Sequence, residues 1–260
     1  GFTITKINPD NEGIIDIEEF INAFKQDTFL VSLMFANNEI GVIQPIKLIS
    51  EICNSKNIMF HTDAAQCLGY IPINNFDSLA NMITISSHKI YGPKGIGLLL
   101  IDPNISINPL ILGGGQEYGL RSGTIPLPLV IGFAKAIEMA IKNQEINIVK
   151  LATMRDKLLE GLINQSLNFN LNGSMEHRLP HNLNITFPSI RGSLLHQQLK
   201  SKIICSSGSS CSNGQPSHVL KAIGRSFKEA ESSIRLSIGL HTSIDEIDQA
   251  VAYISKIVNV

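Results

Sequence analysis

Lys89 follows a Ser-Ser-His run and stands just before the turn residues Gly92 and Pro93. A lysine held in a dry crevice at such a place loses hydration, its pKa falls, and its free amine can form a Schiff base with an aldehyde. Ser86 and His88 flank it with a hydroxyl and an imidazole beside backbone amides, a combination suited to a phosphate. Asp63 offers a carboxylate that could keep a proton on a ring nitrogen. An acid, an imine-forming lysine and phosphate donors are together what pyridoxal phosphate needs from a protein. Cys211 is a second centre: it lies in a loop of Ser and Gly, where a thiol is accessible enough to act as a nucleophile. An incidental loop cysteine fits that setting equally well. The GPKGIG run (92–97) is no Walker loop and by itself reads as a turn into a strand. Metal chemistry has little support. His177 and His181 are spaced i,i+4, but Pro180 breaks the helix that would align them, and His61 and Asp63 have no further ligands nearby in the chain.

Such groups act together only if the fold gathers them. TFLVSLMFA (28–36) is a nearly unbroken apolar run of strand length, as expected for a strand buried on both faces of a parallel sheet. IMF (58–60), MITIS (82–86) and GIGLLLI (95–101) are three more strand candidates. Asp16 and Glu19 open a short helix running towards Phe24, and Pro45 suits the first turn of a helix carrying Ile46, Ile49 and Ile52. Strands alternating with helix-length segments predict an α/β fold. The first three strand candidates end in NNEIG (37–41), HTDAAQ (61–66) and SSHKIYGPKGIG (86–97), about one strand–helix unit apart. Asn37, Asn38, Asp63, Gln66, Ser86, His88 and Lys89 should therefore collect at the carboxyl edge of one parallel sheet, where open α/β sheets bind ligands.

The later part reads differently. A long helix is expected over about 128–166, then strands at 182–187 and 233–239, a helix around Leu194–Leu199, and a terminal amphipathic helix from about Ser243. The expected organisation is a mainly parallel sheet domain over 1–145 followed by a smaller α+β domain over 146–260. With 260 residues the chain is long enough for one large domain or two ordinary ones. A formal net charge of −1, from 21 basic and 22 acidic residues, supplies no positive field for nucleic acid or an anionic membrane. Aromatics at 6% without Trp leave no stacking platform for bases. No apolar run approaches the roughly 20 residues of a membrane span. The four cysteines have no framework spacing, which points to a reducing compartment and cytoplasmic residence. An organelle would apply if a targeting segment preceded Gly1.

HTDAAQ (61–66), SSHKIYGPKGIG (86–97), GGGQEYGLRSGT (113–124) and SSGSSC (206–211), in this order and spacing, strongly resemble the cysteine desulfurases. These are pyridoxal-phosphate enzymes of the aminotransferase-like fold type I, and the resemblance runs from NEGIIDIEEF (11–20) to SIRLSIGLHTSIDEID (233–248). It implies that Lys89 carries the cofactor and later moves the α-proton of the substrate. Asp63 would protonate the ring nitrogen, Gln66 would bond the ring hydroxyl, and Ser86 and His88 would hold the phosphate. Thr124 would reach the phosphate from the other subunit of a homodimer. Asn38, which also neighbours the cofactor, and Arg235 would orient the carboxylate of L-cysteine. Cys211 would take the sulfur as a persulfide, release alanine, and pass sulfur to an acceptor such as an iron–sulfur scaffold or towards tRNA thiolation. The same thiol could serve transiently as an iron–sulfur ligand.

The resemblance has departures. The loop between Cys211 and Pro216 is about two residues short for the long-loop group, Leu112 replaces a common His, and Leu240-His241 replaces a common Arg-Phe. It also implies that the N-terminal third of the family, with its opening strands, a phosphate-binding loop and a ring-stacking His, lies before the point matching Gly1. Two alternatives accompany the reading: a selenocysteine lyase or related fold type I lyase, and an inactive remnant that only binds or dimerises.

Overall fold

The computed structural model describes residues 1–72, 79–207 and 217–259. The chain opens with helix α1 (Ile17–Asn22), whose first turn is closed by Asp16 accepting a hydrogen bond from the Glu19 amide. The side chain of Asp16 thus satisfies a donor that a helix start leaves open.

Two compact units follow from the packing. The sheet unit comprises Asp27–Phe35 and Ile46–Gln144. Its strands β1 (Leu30–Met34), β2 (Met59–Asp63), β3 (Met82–Ser86) and β4 (Gly97–Ile101) lie in sequential order. β1–β2 and β2–β3 are parallel, whereas β4 returns antiparallel to β3. The sheet is therefore mixed, with β1 and β4 at its edges. Helix α2 (Ile46–Ser55) begins directly after Pro45 and buries Ile46, Ile49 and Cys53 on one stripe against β2. Phe60, Thr62, Ile83 and Ile85 turn to a buried face of the sheet. The alternate positions Met59, His61, Asp63, Met82, Thr84 and Ser86 are only half-buried. This period of two creates an open face and a packed one from the same strands. After β2, Ala65–Tyr70 form turns, so the helix-length connection expected before β3 is not seen among the described residues.

The expected long helix over 128–166 is two helices, α3 (Leu127–Lys142) and α4 (Gln144–Asn164). Asn143 interrupts them, and its side-chain amide bonds the Met139 carbonyl at 3.0 Å. α3 buries Phe133 and Ala136 and packs against the single turn of 3₁₀ helix at Ser87–Ile90.

The second unit comprises Gly1–Gln26, Ala36–Pro45 and Glu145–Val260. The first 26 residues and the 36–45 turn thus pack with the C-terminal part, where the sequence suggested one continuous domain over 1–145. Its sheet has the order β5 (Asn170–Leu171), β6 (Asn182–Thr186), β8 (Ser233–Ser237) and β7 (Ser206–Ser207), all antiparallel. Helices α5 (Gly192–Leu199), α6 (His218–Ala222) and α7 (Phe227–Glu231) intervene. The terminal helix α8 (Ile244–Val258) starts from a capping box between Ser243 and Glu246 and buries Ile247, Val251, Ile254 and Val258. Side chains of this kind stabilise by roughly 1.5–3 kcal/mol each when fully buried. None of the helices among the described residues is long and apolar enough to cross a membrane.

Candidate active site

The carboxyl ends of β2 and β3 carry the polar cluster. Asp63 ends β2 and pairs with Thr84, so Ser86 lies one alternation further along on the same open face. Asp63 Oδ1 accepts from the Ala65 amide at 2.9 Å, which fixes the carboxylate at the start of the turn leading to Gln66. Among the described residues no further hydrogen bond to that carboxylate is made. The side chains of Gln66, Ser86, His88 and Lys89 likewise make no hydrogen bond or ion pair among the described residues. They form a set of uncommitted donors and acceptors at one strand edge.

Lys89 projects from the 3₁₀ turn between β3 and β4. Tyr70 Oη donates to the Lys89 carbonyl at 3.3 Å. Burial, with the adjoining Tyr91 adding charge repulsion and a hydrogen bond, pushes the Tyr70 phenol well above the usual tyrosine range, so it stays a donor. Behind the turn, Gly92 is indispensable in shape: a Cβ there would clash with Ser87 Oγ and come within 3.0 Å of Ala136 Cβ. Tyr91 takes the left-handed conformation (φ 65°) that ends the turn. The backbone that presents Lys89 is therefore tightly fixed. Its side chain, however, is exposed. The desolvation expected for Lys89 is not supplied by the described residues.

His61, which sequence reasoning considered only for metal binding, is the best-anchored side chain on the open face. Its Nδ1 lies 2.8 Å from Ser32 Oγ and its Nε2 lies 2.9 Å from Thr84 Oγ1. Burial lowers its pKa, against an opposing pull from Asp63. Strand alternation alone would have set it beside Asp63. Among the described residues no group of three or more His, Cys, Asp or Glu side chains could hold a metal ion.

The remaining candidates are distributed otherwise. Thr124 is exposed in the connection before α3, where the nearby Gly123 amide bonds Gln116 Oε1 at 2.9 Å. Asn38 and Arg235 belong to the second unit and do meet: Arg235 Nη1 donates to the Asn38 carbonyl at 2.8 Å. Arg235 Nε is buried and has no acceptor among the described residues. Such an orphaned donor on a guanidinium is suited to a carboxylate. Asn37 Oδ1 accepts from the amides of Glu39 and Ile40, making the tight turn that displays Asn38. Ser206 and Ser207 pair with Arg235 and Ile234, and Ser217 donates to Glu39 Oε2 at 2.5 Å. Cys211 lies outside the described residues, between these two anchors.

These residues fit pyridoxal phosphate by their donor chemistry: a primary amine, a carboxylate with an open oxygen, and hydroxyl, imidazole and amide groups left unengaged.

The family model for aminotransferase class-V matches residues 1–250. The cysteine desulfurase IscS of Pasteurella multocida is 42% identical over 99% of this chain, which spans 64% of that relative. The mitochondrial cysteine desulfurase of Saccharomyces cerevisiae is 44% identical over 98% of this chain, which spans 52% of that protein. A solved NifS-like protein superimposes with a TM-score of 0.91 at 35% identity, covering 100% of this chain and 69% of that one. The chain thus spans less than two thirds of the length of these curated relatives, and its α/β fold is that of NifS-like enzymes.

Proposed function

The chain belongs to the aminotransferase class-V family, and on that premise we propose that it is the part of a pyridoxal-phosphate-dependent cysteine desulfurase that bears both the lysine and the sulfur-accepting thiol. The observation carrying this reading is the set of uncommitted side chains around Lys89 at the ends of β2 and β3. Their types match the amine, acid and phosphate donors that the cofactor requires. When bound, pyridoxal phosphate supplies an electron sink for charge developing on the substrate α-carbon.

Each residue then has a definite task. Asp63 holds the proton on the ring nitrogen with the carboxylate oxygen that Ala65 leaves open. Gln66 bonds the ring hydroxyl. Ser86 and His88 bind the phosphate, assisted by Thr124 of a second copy in a homodimer. Lys89 Nζ would hold the cofactor and would move the proton of the substrate α-carbon. Asn38 would neighbour the cofactor and, with Arg235, would orient the carboxylate of L-cysteine, the guanidinium through donors that Asn38 does not use. The Cys211 thiolate forms a bond to the substrate sulfur as the carbon–sulfur bond breaks. The carbon skeleton takes up a proton and leaves as alanine, so sulfur changes hands without any external oxidant. Similarity to the cysteine desulfurases of bacteria and mitochondria supports this substrate. The persulfide would pass to an acceptor protein such as an iron–sulfur scaffold, and a transient iron–sulfur ligand role for Cys211 would belong to that hand-over. Free Cys53 and Cys205 accord with a reducing, cytoplasmic or organellar setting.

The test adds pyridoxal phosphate to the 260-residue chain. The expected result is a visible absorbance band that borohydride fixes onto the Lys89 peptide and that Lys89→Ala abolishes. Cysteine given to the longer protein should yield alanine and a persulfide that Cys211→Ser removes. No band, or a band indifferent to Lys89→Ala, would point to a purely binding or dimerising chain. Competition between cysteine and selenocysteine separates this enzyme from a selenocysteine lyase.

A further inference from the structure

His61 has no task in the reaction above, yet its ring spans three strands. Ser32 on β1 and Thr84 on β3 bond its two nitrogens at 2.8 and 2.9 Å, so one side chain ties β1 and β3 across β2. Alternation and register put Met59 and Asp63 of β2 on its face, with Leu30, Ser32 and Met34 from β1 and Met82, Thr84 and Ser86 from β3. Asp63 alone among these titrates.

We propose that His61 is a positioning residue for Asp63: a neutral imidazole that latches three strands together and remains uncharged beside the carboxylate, leaving the Asp63 charge for a protonated ring nitrogen. The proposal rests on the reading that pyridoxal phosphate seats against Asp63. A neutral imidazole has one donor and one acceptor nitrogen, and a hydroxyl can serve either. Two hydroxyls on different strands therefore satisfy it fully without a charge. Protonation would set a cation two residues from Asp63, where it would compete with the ring nitrogen for the same carboxylate. Burial favours the neutral form, in keeping with this role. The latch also guards register, because a slip by one residue would carry Ser32 or Thr84 to the opposite face.

The test follows the His61 imidazole by NMR through a pH titration of the whole chain, in the parent and in Asp63→Asn. The parent midpoint is expected below the ordinary value of about 6.5. Asp63→Asn should lower it further, since the charge that favours the imidazolium is gone. A midpoint at or above the ordinary value, or one unmoved by Asp63→Asn, overturns the proposal. In equilibrium titrations with pyridoxal phosphate, His61→Leu should weaken binding about tenfold. Ser32→Ala with Thr84→Val should weaken it in the parent but add little once His61→Leu is present. Fully additive losses overturn the latch. Absence of the Lys89-dependent band in the parent instead strikes the cofactor reading, and the imidazole titration then decides the charge state of His61 by itself.

Discussion

Asn172 and Arg178 in one unit, and the strand ends around Lys89 in the other, handle polar side chains in opposite ways. Arg178 is only 5% exposed, yet it meets four acceptors: the carbonyls of Asn172 (2.5 Å), Gly173 (2.8 Å) and Ser174 (2.8 Å), and Asn182 Oδ1 (3.4 Å). Asn172, fully buried, donates to Asn184, Thr186 and Ser233 and accepts from Arg225 Nε at 2.7 Å. Burial lowers the Arg178 pKa to about 10, with Arg155 adding repulsion, which still leaves it charged near neutral pH. At the ends of β2 and β3 the polar groups are exposed or half-buried, and most have no hydrogen-bond partner among the described residues. A buried polar atom without a partner costs about 1–3 kcal/mol, so a network that serves the fold is saturated by necessity. Groups meant for a ligand keep water until the ligand replaces it.

Substitutions can break that contrast. The largest effect is expected for Arg178→Met, which strands several buried carbonyls and should cost about 3–5 kcal/mol in urea unfolding. Asn172→Leu follows, at about 2–3 kcal/mol, because Arg225 and three hydrogen-bonding neighbours lose their common partner. Gly41→Ala should cost about 2 kcal/mol: Gly41 has φ +73°, and a Cβ there would come within 2.6 Å of Asn182 Oδ1, disturbing the same polar region. Ser86→Ala and Lys89→Met should each shift stability by less than about 0.5 kcal/mol while impairing cofactor uptake. If either unfolds the chain as readily as Arg178→Met, the distinction between saturated and open groups collapses.

The smallest effect concerns pH. The folded state lowers the His61 pKa, so it binds fewer protons than the unfolded chain around that value. The contribution of the neutral imidazole is fully present above the unfolded value of about 6.5 and fades as pH falls towards and through the lower folded one. Urea midpoints of the parent should thus decline more steeply on acidification than those of His61→Gln. Parallel curves would contradict a neutral His61.

Much of this was legible in the sequence. Asp16 announced α1, Pro45 announced α2, and apolar runs located β1 to β4 within a few residues. The parallel order of β2 and β3 puts Asp63, Gln66, Ser86, His88 and Lys89 at neighbouring strand ends as expected, whereas Asn37 and Asn38, expected at the same edge, belong to the other unit. The break at Asn143 was hidden because apolar periodicity continues through it, whereas the interruption is made by a side-chain amide folding onto Met139. The reversal of β4 had a signal: the span from Ser86 to Gly97 is too short for a parallel crossover. The burial of Arg178 had none, since its acceptors come from backbone carbonyls and one amide side chain placed by the fold. The exposure of Lys89 was likewise invisible, because a strand-end lysine can be walled in only by neighbours that the local sequence does not specify.

The antiparallel return of β4 bears on how this chain can vary. Ser86 pairs with Gly97, and the ladder continues through Ile85–Leu98 and Thr84–Leu99. Lys89 therefore hangs in a hairpin connection clamped at both ends, unlike the strand-to-helix loops in which insertions are absorbed. One extra codon between Ser87 and Ile96 would fall in the turn held by left-handed Tyr91 and close-packed Gly92 and would displace the backbone that presents Lys89. The lysine's neighbourhood should accordingly tolerate changes of side chain far more readily than changes of length.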